Sequence, residues 1–181
     1  MIRVISGIYK GKRLKKVASP DVRPMPDKLK SALFNILQDE VRGAVILDGF
    51  AGTGSIGIEA LSRGARQAVF IEEFYPAVRV IKHNVEKCGA GDRVRMMAKE
   101  FNRGVIQLGK EKARFDMIFL DPPYKLLEER NPLKVIKKRG ILAPGGLIIL
   151  RHHFKTRFEA KHFSLLRRVT LGDDTLAFYS E

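Results

Sequence analysis

Between Ala44 and Leu61 the chain reads AVILDGFAGTGSIGIEAL, and this stretch limits the fold more than any other. The apolar run Ala44 to Leu47 is short enough for a buried strand. Asp48 and Gly49 follow it, then Gly52, Gly54 and Gly57, and Ile56, Ile58, Ala60 and Leu61 recur at spacings with which a helix can face a sheet. A strand, a tight glycine turn and a helix N-terminus in that order make a small-molecule site. Without a Cβ in the way, the backbone N–H groups of such a turn can approach a ligand closely.

Gly52-Thr53-Gly54-Ser55-Ile56-Gly57 matches the dinucleotide fingerprint, and Glu72 falls about twenty residues on, where a ribose-binding acid belongs. Asp48 argues against NAD. It is read as standing in the turn, just after the strand, where its carboxylate would repel a pyrophosphate. A cation suits that place better. S-adenosyl-L-methionine carries an ammonium and a sulfonium at the corresponding end and no phosphate, so charge favours it over a dinucleotide. A glycine-rich turn holding no ligand is the plainer alternative.

The remaining pattern supports a strand–helix alternation. Met1 to Val17 reads as two short strands around Gly7 to Gly11, a hairpin with lysines at its tip. Pro20, Pro24 and Pro26 make an extended connector. A helix starts near Asp27, its apolar stripe formed by Leu29, Leu33, Ile36 and Leu37, with Lys28 and Lys30 expected away from that stripe. Further strands are expected at Gln67 to Glu72, Arg93 to Ala98, Arg114 to Leu120 and Leu147 to Leu150. Helices are expected at Phe74 to Cys88, Asn102 to Gly109 and Leu126 to Lys138, where Pro132 must break or begin the last one. His162 to Leu171 and Thr175 to Tyr179 read as a closing antiparallel hairpin. Strands alternating with helices imply an α/β fold with a mostly parallel sheet covered on both faces. Ligands in such sheets sit beyond the carboxyl ends of the strands, where Asp48, Glu72 and Asp121 all fall.

Charge bears on partners. The chain of 181 residues carries a formal net charge of +14. Up to Lys30 only Asp21 and Asp27 oppose a run of bases that includes Arg3, Lys10, Lys12, Arg13, Lys15, Lys16, Arg23 and Lys28. Lys125 to Arg168 is basic again, and the stretch between is nearly balanced. A balanced core with two basic flanks suits a polyanion such as RNA, against the simpler reading of a solvated basic surface. Cys88 is the single cysteine, so no internal disulfide can form and a reducing cytoplasm fits; the residue itself reads as packing. No signal peptide or membrane span is expected. His152 and His153 lack partners at metal-ligand spacing, so no metal site is expected. Glu73 is expected to face solvent.

Asp121-Pro122-Pro123-Tyr124 is the sharpest local signal. Pro122 has no N–H, so its carbonyl and the Asp121 carboxylate can both present acceptors to one ligand. The exocyclic amine of a nucleobase offers two N–H bonds, and its lone pair is delocalised into the ring. Two acceptors gripping those hydrogens would draw the nitrogen toward a tetrahedral shape and free the lone pair. Asp121 or water would take the released proton, and Tyr124 would stack on a base that is flipped out or unpaired. Alternatively, the prolines merely stop a strand.

That tetrapeptide resembles the motif of methyltransferases acting on the amino groups of adenine, cytosine or guanine. Gly7 with Lys10-Gly11-Lys12-Arg13-Leu14, Arg23-Pro24, Asp27, Phe34-Asn35, Phe50-Ala51-Gly52-Thr53-Gly54, Glu59 to Ala65, Gly172 to Thr175 and Tyr179 together resemble the RsmD family of bacterial 16S ribosomal RNA guanine-N2 methyltransferases. The resemblance implies a Rossmann-like class I methyltransferase domain over residues 26–181. Its sheet would have seven strands and a C-terminal antiparallel hairpin, and residues 1–25 would form a basic hairpin and connector. It implies S-adenosyl-L-methionine as cofactor, lined by Asp48, Phe50, Gly52 and Gly54 at its methionine end and held at the ribose by Glu72. Asp121, Pro122 and Tyr124 would hold the guanine, and Arg23, Asp27 and Lys28 would help close the site; Lys10, Lys12 and Arg13 would meet RNA. The expected partner is ribosomal RNA, within a small subunit or its assembly intermediate, for a monomeric protein. Four departures stand out. Gly49 replaces an apolar residue, Met25-Pro26 replaces a pair of threonines, Glu100 is the nearest acid for the adenine amino group, and Arg151 stands where a glutamate is common. Adenine-N6 methylation of DNA or another RNA, and RNA binding by an assembly factor, remain as other readings.

Overall fold

The computed structural model describes every residue except 1, 21, 124, 125, 128–130, 157 and 159. The described residues form nine strands and five α-helices. Strands β1 (Ile2–Arg3) and β2 (Arg13–Leu14) pair antiparallel as a separate ribbon. Then follow α1 (Asp27–Leu37), β3 (Val45–Gly49), α2 (Ser55–Ser62), β4 (Gln67–Glu72), α3 (Tyr75–Cys88), β5 (Val94–Ala98) and α4 (Phe101–Lys110). The chain ends with β6 (Phe115–Leu120), α5 (Pro132–Arg139), β7 (Leu142–His153), β8 (Ser164–Leu171) and β9 (Asp174–Ser180).

The main sheet has seven strands in the order β5-β4-β3-β6-β7-β9-β8. The first five run parallel, and β9 lies antiparallel between β7 and β8. Alternate residues of the central strands feed two separate cores, as a pleated sheet buried on both faces requires. Ile46, Phe70, Met117 and Phe119 pack with α1, α2 and α3. Leu47, Val69, Ile71, Ile118 and Leu120 pack with α4 and α5. Cys88 is buried in the first core. Strand order reverses between β3 and β6, which opens a crevice at their carboxyl ends. Among the described residues no helix is long and apolar enough to cross a membrane.

Three expectations need correction. Strand β7 covers Leu142–His153 and not just Leu147 to Leu150. A register shift between Phe115 and Met117 of β6 absorbs residues 143–146, where Gly145 takes a φ of +73°, so the strand continues through the double glycine. Asp48 lies inside β3 and not in the turn, because pairing to Phe70 and Phe119 continues through it. Lys30 is not on the outer face of α1: it is fully buried. Its Nζ donates to the Arg3 carbonyl at 2.7 Å and lies 3.4 Å from Glu59 Oε2. The apolar stripe accounts for Leu29, Leu33 and Leu37, but a lysine can be buried with them when a carboxylate from another helix meets it. Burial, partly offset by Glu59, lowers the Lys30 pKa. Pro132 begins its helix, with Asn131 accepting from the Leu133 N–H at 3.0 Å as the cap.

Glu59 also anchors the N-terminal arm. It accepts from the Ile5 and Ser6 N–H groups at 2.8 and 3.0 Å, and Arg63 Nε reaches it at 2.8 Å. The Ile8 N–H bonds the Ser62 carbonyl, and a Cβ at Gly7 would stand 1.8 Å from that oxygen. The arm is thus fixed against the last turn of α2.

Candidate active site

Strand β3 delivers Asp48 to the crevice. The side chain is buried, and Oδ2 accepts from the Gly57 N–H at 2.9 Å. Burial pushes its pKa up to about 8; the Gly57 N–H opposes the rise, and the neighbouring charges of Asp121 and Glu72 add to it. Asp48 therefore lies within electrostatic reach of the acids that end β4 and β6. Among the described residues Asp48 has no ion-pair partner. Glu72 spans the glycine turn, with Oε2 accepting from the Gly52 N–H at 2.8 Å and Oε1 from the Phe74 N–H at 2.9 Å.

The turn is left-handed at Phe50 (φ +62°), Gly52 (+56°) and Gly54 (+74°). For the glycines this costs little, but Phe50 carries strain of the kind that collects at functional sites. A Cβ at Gly57 would meet the Phe70 ring at 2.4 Å, so the third glycine of the fingerprint sets how closely α2 packs on the sheet. Val22 of the connector lies against Gly52: a Cβ there would meet it at 3.3 Å. The connector thus crosses the turn.

Phe101 is the residue that sequence reasoning does not find. Its ring stacks on Phe50 with centroids 4.5 Å apart, and a Cβ at Gly49 would stand 2.6 Å from it. The one signal was Gly49 itself: the expected side chain is missing there, and an aromatic from α4 fills the space.

Asp121 follows β6 directly. Its Oδ2 accepts from an Arg151 terminal guanidinium N–H at 2.8 Å, while Arg151 Nε donates to Asp174 Oδ1 at 2.9 Å. Pro122 is buried and Pro123 exposed. Tyr124 lies outside the described residues. Burial raises the Asp121 pKa above the ordinary carboxylate range, and Arg151 only partly offsets the rise.

The structure thus brings Asp48, Phe50, Gly52, Gly54, Glu72, Asp121 and Pro122 to one end of the sheet. Glu100 follows β5 at the same end and caps α4, accepting from the Arg103 N–H at 3.0 Å. Arg23 and Lys28 are exposed on the connector and the first turn of α1, and Asp27 pairs with Arg3 at 3.2 Å. Lys10, Lys12 and Arg13 are not at the crevice. They belong to the arm docked on the C-terminal end of α2, and Lys12 Nζ donates to the Lys87 carbonyl at the far end of α3. Among the described residues no cluster of His, Cys, Asp or Glu could hold a metal ion. An apolar hollow of about 450 Å³ beside α3, lined by Ile81, Val85, Val94 and Met96 among others, includes none of the crevice acids.

Known proteins share this architecture and sequence. The family model described as Conserved hypothetical protein 95 matches residues 2–180. The Ribosomal RNA small subunit methyltransferase D of Escherichia coli K12 is 34% identical, over 98% of this chain and 89% of its own. A hypothetical protein of Thermus thermophilus superposes with a TM-score of 0.85 at 31% identity, covering 98% of both chains. An RNA methyltransferase of Salinibacter ruber, solved with S-adenosyl-L-homocysteine, shares the fold at a TM-score of 0.67 and 19% identity, over 87% of this chain and 92% of that one. A match from Ile2 to Ser180, with a relative a third identical almost end to end, shows that the chain belongs to the RsmD family.

Proposed function

We propose that the crevice binds S-adenosyl-L-methionine and that the chain transfers its methyl group to the exocyclic N2 amine of a guanine in small-subunit ribosomal RNA. The observation that carries the reading is Asp48. A buried carboxylate with one backbone N–H, two acidic neighbours and, among the described residues, no cation is an arrangement that a positively charged ligand relieves. The donor set fits such a ligand: left-handed turn residues for close backbone approach, acids for an ammonium and sulfonium, and a further acid for ribose hydroxyls.

Asp48, Phe50, Gly52 and Gly54 line the methionine end in this reading. Glu72 takes the ribose, using lone pairs beyond those that accept from Gly52 and Phe74. Glu100 serves the adenine end. When bound, the cofactor would supply an electrophilic methyl on sulfur, with a neutral thioether as the leaving group that takes the C–S electron pair. Asp121 and the Pro122 carbonyl accept the two N–H bonds of the amine and hold its lone pair in line for attack, so that positioning supplies most of the acceleration. Tyr124 stacks on the extruded base, and Arg23, Asp27 and Lys28 close over it. Lys10, Lys12 and Arg13 hold phosphates some way along the RNA. Cytoplasm, where ribosomal RNA is found, is the expected compartment, and the chain is expected to act as a monomer without metal.

Labelled methyl donor, purified protein and small-subunit RNA from cells lacking the protein test the reading, with naked RNA and subunit particles in parallel. N2-methylguanosine in the digest is the expected product. N6-methyladenosine would move the target to adenine, and RNA binding without transfer would leave an assembly factor.

A further inference from the structure

We propose that Arg151 is a positioning residue for the transfer step: clamped to Asp174, it fixes one oxygen of Asp121 so that the other, with the Pro122 carbonyl, faces the nucleobase amine. The inference rests on the reading of the crevice just given. Leu120 pairs with Leu150 across the parallel strands β6 and β7, so Asp121 and Arg151 stand at the next rung. Arg151 in turn pairs with Leu176 of β9, two residues beyond Asp174. The guanidinium spans both junctions, using a terminal nitrogen for Asp121 and Nε for Asp174. Its side chain is 10% exposed and that of Asp174 17%, whereas the Asp121 side chain is 37% exposed. Two donors of one rigid plane aimed at two acids leave the guanidinium little freedom to turn. Among the described residues no further hydrogen bond reaches Asp121, so its second oxygen is available to substrate.

The clamp also decides what Asp121 does. Arg151 opposes the rise that burial causes in the Asp121 pKa and so favours its ionised, accepting form. Asp121 therefore acts as an acceptor that aligns the amine. When the nitrogen lone pair forms the N–C bond and the C–S pair returns to sulfur, the extra proton on nitrogen leaves to water. Among the described residues the charged groups facing Asp121 are Arg151 from β7, Asp174 from β9 and Asp48 from β3. Of these only Arg151 favours the ionised form, so its removal raises the pH at which Asp121 ionises.

Two measurements on the full chain test this. In methyl transfer, Arg151→Met is expected to lower kcat roughly 10- to 100-fold with the KM for the cofactor within about twofold, and to move the acid limb of the rate profile up by about one pH unit or more. Arg151→Lys should restore the limb and part of kcat, and Asp174→Asn should cost several-fold. In the free protein, carboxyl-carbon NMR of labelled aspartate, assigned with Asp121→Asn, should show Asp121 titrating higher in Arg151→Met than in the wild type. An unchanged limb in a folded Arg151→Met protein, or an unchanged Asp121 titration, overturns the inference. Absence of transfer by the wild type would defeat the functional reading instead, and the NMR titration would still decide whether the clamp exists.

Discussion

Glu59 and Asp48 are two buried carboxylates on the same strand–turn–helix unit, and their surroundings are opposites. Glu59 meets Lys30, Arg63 and two backbone N–H groups of the arm. Among the described residues Asp48 meets one backbone N–H and no cation, with two more acids nearby. The first is an internal ion network that fixes the arm to the core. The second is a carboxyl that burial holds protonated near neutral pH and that a cation from outside would ionise. Burial alone does not separate a structural acid from a binding one; the count of its partners does.

Glu59→Gln should have the largest effect on stability. It strands the Lys30 ammonium in the core, and breaking a buried pair from one side costs about 3–5 kcal/mol. Urea unfolding should record that loss, with the arm's amide protection falling first. Asp48→Asn should behave differently. Its affinity for S-adenosyl-L-methionine should fall roughly 100-fold, as removal of a close partly buried charge partner implies, while stability at pH 8 should not fall. The sign follows from the raised pKa. Between the unfolded value near 4 and the folded value of about 8, the native state holds more protons than the unfolded one. Wild-type stability therefore declines as pH rises through that window, and melting curves of Asp48→Asn should flatten the decline. Gly57→Ala comes next. Its Cβ enters the Phe70 ring, for a cost of about 1–3 kcal/mol in thermal unfolding. Arg3→Ala is the control at the other end. Arg3 pairs with Asp27 at the surface, with side chains 61% and 37% exposed, and its loss should change stability by less than about 1 kcal/mol.

Much of this was legible in the chain. Local pattern specifies the glycine turn, the strand ends that carry Asp48, Glu72 and Asp121, and the proline stop after β6. What stayed hidden depends on contacts distant in sequence. Lys30 reads as solvent-facing because a helical stripe counts apolar residues, and its partner is 29 positions away on another helix. The residues following Gly7 read as a plain hairpin tip, yet Gly7 is needed where the arm touches Ser62. Phe101 is invisible because the end of β3 lacks one side chain, at Gly49, and a ring from α4 replaces it. The length of β7 depends on a register shift that no alternation pattern announces. The partners of Arg151 lie on two different strands, and neither is implied by its position.

The most direct measurement is calorimetry of S-adenosyl-L-methionine binding at pH 7 in buffers of different ionisation enthalpy. If Asp48 is protonated in the free protein and ionised against a bound cation, binding should release close to one proton. The ligand's own α-amino group could only take protons up. Affinity should rise toward pH 8, and Asp48→Asn should abolish the release. No binding, or binding whose proton count and pH dependence are the same in wild type and Asp48→Asn, would contradict the account.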